Sequence, residues 1–237
     1  DSPVDRSTPV SDDRGWNSRL VLTPLFLAMV LEALALGSSM VTIGLPSILA
    51  EFPTDQGGWL LTTYYLAGAV AAPVLGKFSD IYGKRTVLLV TLVVSCVGAV
   101  ICAVSVSFTM LIAGRALQGV ILAAISLSYS LIRDTYPPKP AAIAASVVVT
   151  GMGAFSIVAP SLIGWLVDNW GFRGMFWFDT VWMAALAVAI LLVVEESPLR
   201  RAASPDLLGA LYLAAGVVPL LVWVSMSRTW GWTSVNG

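Results

Sequence analysis

Long apolar runs alternate with short polar stretches along the whole chain. Seven runs reach or exceed the roughly 20 residues that an α-helix needs to cross a bilayer. They are 21–49, 58–77, 86–107, 108–132, 140–167, 174–195 and 206–227. Each predicts a membrane-spanning helix, and the first and fifth have length to spare for tilt or a kink. Seven comparable runs cannot all be a cleaved leader. The polar stretches divide the chain accordingly. Residues 1–19 are expected to form a flexible tail and 20–197 a six-helix bundle. Residues 198–205 would be a linker, and 206–237 would hold a seventh span and the start of an outside loop. Because the chain opens on Asp1 and stops in a polar stretch after Trp232, it is expected to be a piece of something larger.

Composition agrees with the pattern. Of 237 residues, 57% are apolar and 11% charged, with a mean hydropathy of +0.86, whereas soluble domains carry about 25% charged residues. The fold class is therefore all-α and polytopic, with the lipid bilayer as its surroundings. The net charge of −1 leaves no basic stripe to meet phosphates, so nucleic acid is not an expected partner. Without His, neither a His-ligated zinc site nor a Ser-His-Asp triad can be built. No constellation of nucleophile, base and ligands suggests an enzyme, a cofactor or a metal. Cys96 and Cys102, six residues apart in one run, would face different sides of a helix and read as packing residues.

The basic residues set an orientation. With the N-terminus inside, Arg6, Arg14, Arg19, Lys77, Lys84, Arg85, Arg133, Lys139, Arg200 and Arg201 fall on the cytoplasmic side. Only Arg173 and Arg228 fall outside, and Arg115 lies within a span. The expected location is a cell (plasma) membrane.

The chain also repeats itself. Gly76, Asp80, Gly83 and Arg85 recur 88 positions later as Gly164, Asp168, Gly171 and Arg173, with Pro73 and Pro160 preceding the two blocks. Three spans separate the copies, so they face opposite sides of the membrane. This is the trace of two inverted three-helix repeats, the plan of many secondary transporters.

Specific motifs extend that reading. Trp59-Leu-Leu-Thr62-Thr-Tyr64-Tyr-Leu66 leads into Pro73 and then Gly76-Lys-Phe-Ser-Asp80-Ile-Tyr-Gly83-Lys84-Arg85. This resembles the second span and signature loop of the major facilitator superfamily, and Gly114-Arg115-Ala-Leu-Gln118-Gly119 is similar to its fourth-span motif. The Trp59 pattern, Phe172-Arg173-Gly-Met-Phe176, Asp206-Leu-Leu-Gly209 and Gly231-Trp232-Thr-Ser resemble the 14-span drug:proton antiporter branch. Two positions depart from that branch. Gly37 stands where an Asp is usual, and Ala159-Pro160-Ser-Leu-Ile163-Gly164 has lost two glycines of the fifth-span motif. The resemblance implies alternating-access transport of a small molecule, with protons as the coupling partner.

The residues themselves nominate sites. Glu32 lies near mid-membrane, where a charge costs about 2.5–3.5 kcal/mol on insertion scales and needs a partner, water or a proton. It reads as the one acid placed so deeply, either as a proton carrier or cation partner, or as a permanently neutral or hydrogen-bonded group. Ser39, Thr42 and Pro46 share its helical face. Arg115, Gln118, Gly119, Ser126, Tyr129 and Arg133 form a polar stripe on the fourth span that lipid would not tolerate. All of these but Arg133 would line the transport cavity together with Ser39, Thr42 and Tyr64, or Arg115 would anchor carbonyls in the bundle. Gly76, Asp80, Gly83, Lys84, Arg85, Arg133 and Asp134 gather at the cytoplasmic surface. The resemblance implies a conformational latch there, although basic loops also set topology alone. Gly153, Pro160 and Gly164 lie on a stripe of small residues and read as a hinge or as tight packing.

The leading expectation is a proton-coupled exporter of lipophilic or cationic compounds. An uncoupled facilitator, or a non-transporting scaffold or sensor derived from a transporter half, remain alternatives.

Overall fold

The computed structural model describes residues 18–197 and scattered positions between Gly209 and Trp223. Most of the expected tail, the linker and the seventh span lie outside the described residues, as do Arg200, Arg201, Arg228, Trp230 and Trp232. Every described element is a helix, in the order α1 (Ser18–Glu51), α2 (Trp59–Tyr82), α3 (Lys84–Ala103), α4 (Phe108–Gly119), a 3₁₀ turn (Val120–Ala123), α5 (Ala124–Thr135) and α6 (Pro138–Val193). Ser107 starts α4 by accepting the Met110 N–H at 3.2 Å, and Pro138 occupies the first turn of α6, where a missing N–H costs nothing.

At 56 residues α6 would measure roughly 84 Å if straight, far more than a bilayer core of about 30 Å. It is broken at Gly171, whose φ of 66° and ψ of −174° are not helical. The limbs 138–170 and 172–193 correspond to the fifth and sixth expected spans. Among the described residues, five long apolar helical stretches, the last of them double, thus give six segments long and apolar enough to cross a membrane.

The repeat proposed from sequence has a backbone counterpart. Among the described residues only Gly83 (φ 106°) and Gly171 (φ 66°) have positive φ, and they are the matched glycines of the two blocks. Each reverses the chain between the second and third helix of its repeat. One expectation needs correcting here. The signature segment is not a loop from Gly76 onward, because α2 continues to Tyr82 and Gly83 alone makes the reversal. Gly76 is inside the helix, and a side chain there would meet nothing within 4 Å.

Gly83 is required for two reasons. Its conformation is one that L residues rarely adopt, and a Cβ would lie 2.6 Å from the carboxylate of Glu196. That carboxylate accepts the N–H groups of Arg85 and Thr86 at 2.9 and 3.0 Å and the Thr86 hydroxyl at 2.8 Å. It thereby satisfies orphan donors at the start of α3. Burial raises the Glu196 pKa, but these hydrogen bonds and that from the Ser197 N–H outweigh it and hold the group below its ordinary value. Gly83→Ala is expected to combine about 1–3 kcal/mol of backbone strain with displacement of Glu196. Thermal unfolding in detergent should fall by several degrees, and an unchanged midpoint would contradict the capping role.

The major interfaces join the two repeats: α1 with α6, α3 with α4 and α6, and α2 with α4 and the 3₁₀ turn. Glycines bring the backbones together. A Cβ on Gly98 would lie 2.7 Å from the Gly114 carbonyl oxygen, and one on Gly114 would lie 2.8 Å from that of Gly98. Two apolar clusters result. One contains Leu31, Leu34, Tyr64, Leu92, Ile121 and Met183, and the other Leu36, Met40, Leu60, Cys102, Leu111 and Phe176. On α4, Arg115 and Gln118 fall between Leu111 and Ile121. On α6, Asp179 falls between Phe176 and Met183. A polar layer therefore crosses the bundle between its two apolar halves.

Candidate functional site

Arg115 is the centre of that layer and is completely buried. Its Nη2 donates to the Gly37 carbonyl of α1 at 2.8 Å, its Nε to the Leu60 carbonyl of α2 at 3.4 Å and its Nη1 to Gln118 Oε1 at 2.7 Å. The guanidinium carbon also lies 4.3 Å from the centroid of the Tyr64 ring, close enough for a cation–π contact. Tyr64 in turn donates its hydroxyl to the Leu34 carbonyl at 3.2 Å. A single guanidinium thus ties α1, α2 and α4 together, and its planar fork suits several acceptors at once.

Gln118 carries the network further. Its Nε2 donates to Asp179 Oδ2 at 2.7 Å, across to the second limb of α6. Asp179 is completely buried, and its other oxygen, Oδ1, has no hydrogen-bond donor among the described residues. Asp179 corrects the expectation that Glu32 is the one deep acid. The signal was present, since Asp179 lies inside the sixth expected span, where the rule that singled out Glu32 applies equally.

The predicted α4 stripe does not stay on one face. A 3₁₀ turn advances about 120° per residue instead of 100°, so four residues of it rotate the following helix by about 80°. Arg115, Gln118 and Gly119 are consequently buried, while Ser126 is exposed and bonds the Ala123 carbonyl at 3.0 Å. Tyr129 is half-buried and Arg133 exposed. The α1 stripe splits as well. Glu32 is buried and Ser39 half-buried, whereas Pro46 and Thr42 are exposed and the Thr42 hydroxyl bonds the Ser38 carbonyl at 3.1 Å.

Glu32 has its own setting, apart from the Arg115 layer. Although the residue is only 3% exposed, neither carboxylate oxygen has a partner among the described residues. It borders a cavity of about 300 Å³ between α1 and the first limb of α6, lined by Leu25, Ala28, Met29, Gly151, Phe155 and Val158. Leu25 and Val158 are exposed at its open side. Chemically this is an apolar slot with one acid, suited to a proton or to an organic cation with an apolar body.

At the end of the bundle where α2 meets α3, Lys84 is buried and bridges Asp134 at 2.7 Å and Asp80 at 3.2 Å. Asp134 also accepts the Ser197 hydroxyl at 2.8 Å. Arg85 donates to the Leu191 carbonyl, while Arg133 stands outside the cluster, with its Nε 3.9 Å from Asp134. Of the residues assigned to a latch, Asp80, Lys84 and Asp134 are thus brought together, and Gly83 and the Arg85 N–H lie against Glu196 beside them. Glu196 and Ser197, which the sequence reading did not select, complete the cluster.

The matched arginine at the opposite end behaves similarly. Arg173 pairs with Glu51 at 2.6 Å and donates to the Ser105 carbonyl at 2.8 Å. The three residues assigned to a hinge lie differently. Gly153 and Pro160 are exposed and Gly164 half-buried, a Cβ on either glycine would meet nothing within 4 Å, and the break in α6 is at Gly171.

Comparison with known proteins places this geometry. The sequence pattern described as "Major Facilitator Superfamily" matches residues 25–235. An uncharacterized MFS-type transporter of Mycobacterium tuberculosis (strain H37Rv) is 35% identical over 222 residues, covering 90% of this chain and 32% of the relative. The multidrug resistance protein Stp of Mycobacterium tuberculosis (strain CDC 1551) is 30% identical, covering 93% of this chain and 42% of Stp. The crystal structure of the human organic anion transporter MFSD10 (TETRAN) superposes with a TM-score of 0.68 at 21% identity, over 89% of this chain and 56% of that one. The chain spans 32% to 48% of the length of curated relatives such as these. With six described segments long and apolar enough to cross a membrane, an inverted repeat and a family match over nearly its whole length, this multi-pass membrane protein belongs to the Major Facilitator Superfamily of transporters.

Proposed function

We propose that the chain forms the N-terminal bundle of a secondary active transporter that exports lipophilic or cationic compounds in exchange for protons. The observation that carries this reading is Glu32, a buried carboxylate without a partner among the described residues, on an apolar cavity of about 300 Å³. A proton and an organic cation would compete for the same two oxygens, and that competition is exchange chemistry. Apolar walls suit lipophilic bodies of many shapes, because they impose few directional demands. Relatives named as multidrug proteins are consistent with such a cavity.

Alternating access needs contacts that can break at either end. The Lys84–Asp80–Asp134 cluster and the Arg173–Glu51 pair occupy opposite ends, as inverted-repeat rocking would require. In this reading the Lys84 end faces the cytoplasm of a cell membrane, in keeping with ten of thirteen basic residues on that side. A second bundle, supplied by a C-terminal half, would close the open side of the cavity.

The test is flux through the full-length protein in proteoliposomes, with a fluorescent lipophilic cation as probe. An imposed pH gradient should drive accumulation, and a protonophore should abolish it. Flux indifferent to the gradient would leave an uncoupled facilitator, the reading that Gly37 favours, and would overturn this one.

A further inference from the structure

We infer that Asp179 is a second proton-binding site, and that Gln118 conveys its protonation state to Arg115. The functional consequence rests on the proton-coupled reading above; the site itself rests on geometry. Asp179 is completely buried in the second limb of α6, with Oδ2 bonded to Gln118 and Oδ1 without a donor among the described residues. A carboxylate with half its acceptor capacity empty is costly in a low-dielectric interior. It is relieved by a proton, or by a rearrangement that brings a donor to Oδ1. A proton is also the one ligand small enough to reach an oxygen with no accessible surface.

The surroundings favour exchange over a permanent state. The titratable groups around Asp179 are Arg115 of α4, Tyr64 of α2, and Cys96 and Cys102 of α3. Arg115 is the only cation among them, and it does not touch the carboxylate. Its donors go to Gly37, Leu60 and Gln118, so the charges are separated by one amide. A direct bidentate pair would fix the carboxylate as an anion. An amide-separated pair stabilises the anion less and leaves Oδ1 free to take a proton.

The amide also gives the site a readout. Gln118 can offer its carbonyl to Arg115 and its NH₂ to Asp179 in one orientation only, and the charged form of Asp179 strengthens that arrangement. Protonation makes the Gln118–Asp179 bond neutral and removes the anion facing Arg115. Arg115 is then a buried cation without a counter-charge, which favours whatever arrangement hydrates it or brings it another anion. Because Arg115 holds the Gly37 carbonyl of α1 and the Leu60 carbonyl of α2, a proton on α6 is registered in two of the three helices of the other repeat.

Infrared difference spectroscopy between acidic and alkaline buffer, on the full-length protein in lipid, tests this directly. A protonated-carboxyl band should appear on acidification, vanish in Asp179→Asn and persist in Glu32→Gln. Absence of any Asp179-dependent band would overturn the inference, and gradient-driven flux in the unmodified protein would still support proton coupling. Conversely, an Asp179-dependent band in a protein whose flux ignores the gradient would support this site and remove the coupled reading. If Asp179→Asn fails to fold, Gln118→Ala serves instead: the pH at which the band appears should shift, and an unmoved midpoint would contradict the relay.

Discussion

Replacing Arg115 with Ala should destabilise the bundle by about 3–5 kcal/mol, the range for removing one partner of a buried charge pair. The loss is large because it is shared. The Gly37 and Leu60 carbonyls and the Gln118 amide each lose a donor, and Asp179 loses the charge that faces it. Arg115→Lys should recover only part of this, since a single ammonium cannot reach acceptors on three helices with the reach of a planar fork. Thermal unfolding in detergent and yield of folded protein are the measurements. Equal stability of the Ala and unmodified proteins would mean that the polar layer does not hold α1, α2 and α4 together. Double replacement of Arg115 and Asp179 by similar-sized apolar residues should be less damaging than Arg115→Ala alone, because no uncompensated charge is left behind.

Gly119→Ala is the second substitution with a large expected effect. The new Cβ would run into the carbonyl oxygen of Tyr64, with the Tyr64 carbonyl carbon at 2.9 Å and the Ala67 Cβ at 3.0 Å. These are mainly backbone atoms of α2 and cannot swing away as a side-chain tip would. Overpacking typically costs 1–3 kcal/mol, and the rigid obstacle puts this site at about 3 kcal/mol. The separation of α2 from α4 would also disturb the Arg115–Leu60 bond one turn away. Gly58→Ala is the control, as a Cβ there meets nothing within 4 Å and should change stability by less than about 0.5 kcal/mol. If the two substitutions behave alike, the close approach of α2 and α4 at Gly119 is not real.

Much of the architecture was legible because bilayer thickness imposes a length on apolar runs. The six spans within 21–195 were placed to within a few residues, and the matched block around Gly83 and Gly171 marked both reversals. Side-chain direction was harder. Regular helical spacing put Arg115 and Ser126 on one face, but the four-residue 3₁₀ turn between them changed the phase, and nothing in Val-Ile-Leu-Ala signals that change. Long-range partners were also hidden. Glu196 caps a helix that begins more than a hundred residues earlier, a pairing that tertiary folding alone creates. Asp179 was different: its position in an apolar run was visible, but its link to Arg115 depends on Gln118 reaching across from α4. Glu32 remains the acid that borders a cavity, whereas Asp179 is enclosed, so the two carboxylates are expected to do different work.

The most direct measurement separates exchange from coupling in Glu32→Gln. Two assays are run on the same reconstituted full-length protein: accumulation of a lipophilic cation driven by a pH gradient, and counterflow of a neutral lipophilic substrate with no gradient. Removing the charge while keeping the shape should reduce gradient-driven accumulation at least tenfold and leave counterflow of a neutral lipophilic substrate intact. Gradient-driven accumulation equal to that of the unmodified protein would contradict the assignment of Glu32 as the proton carrier.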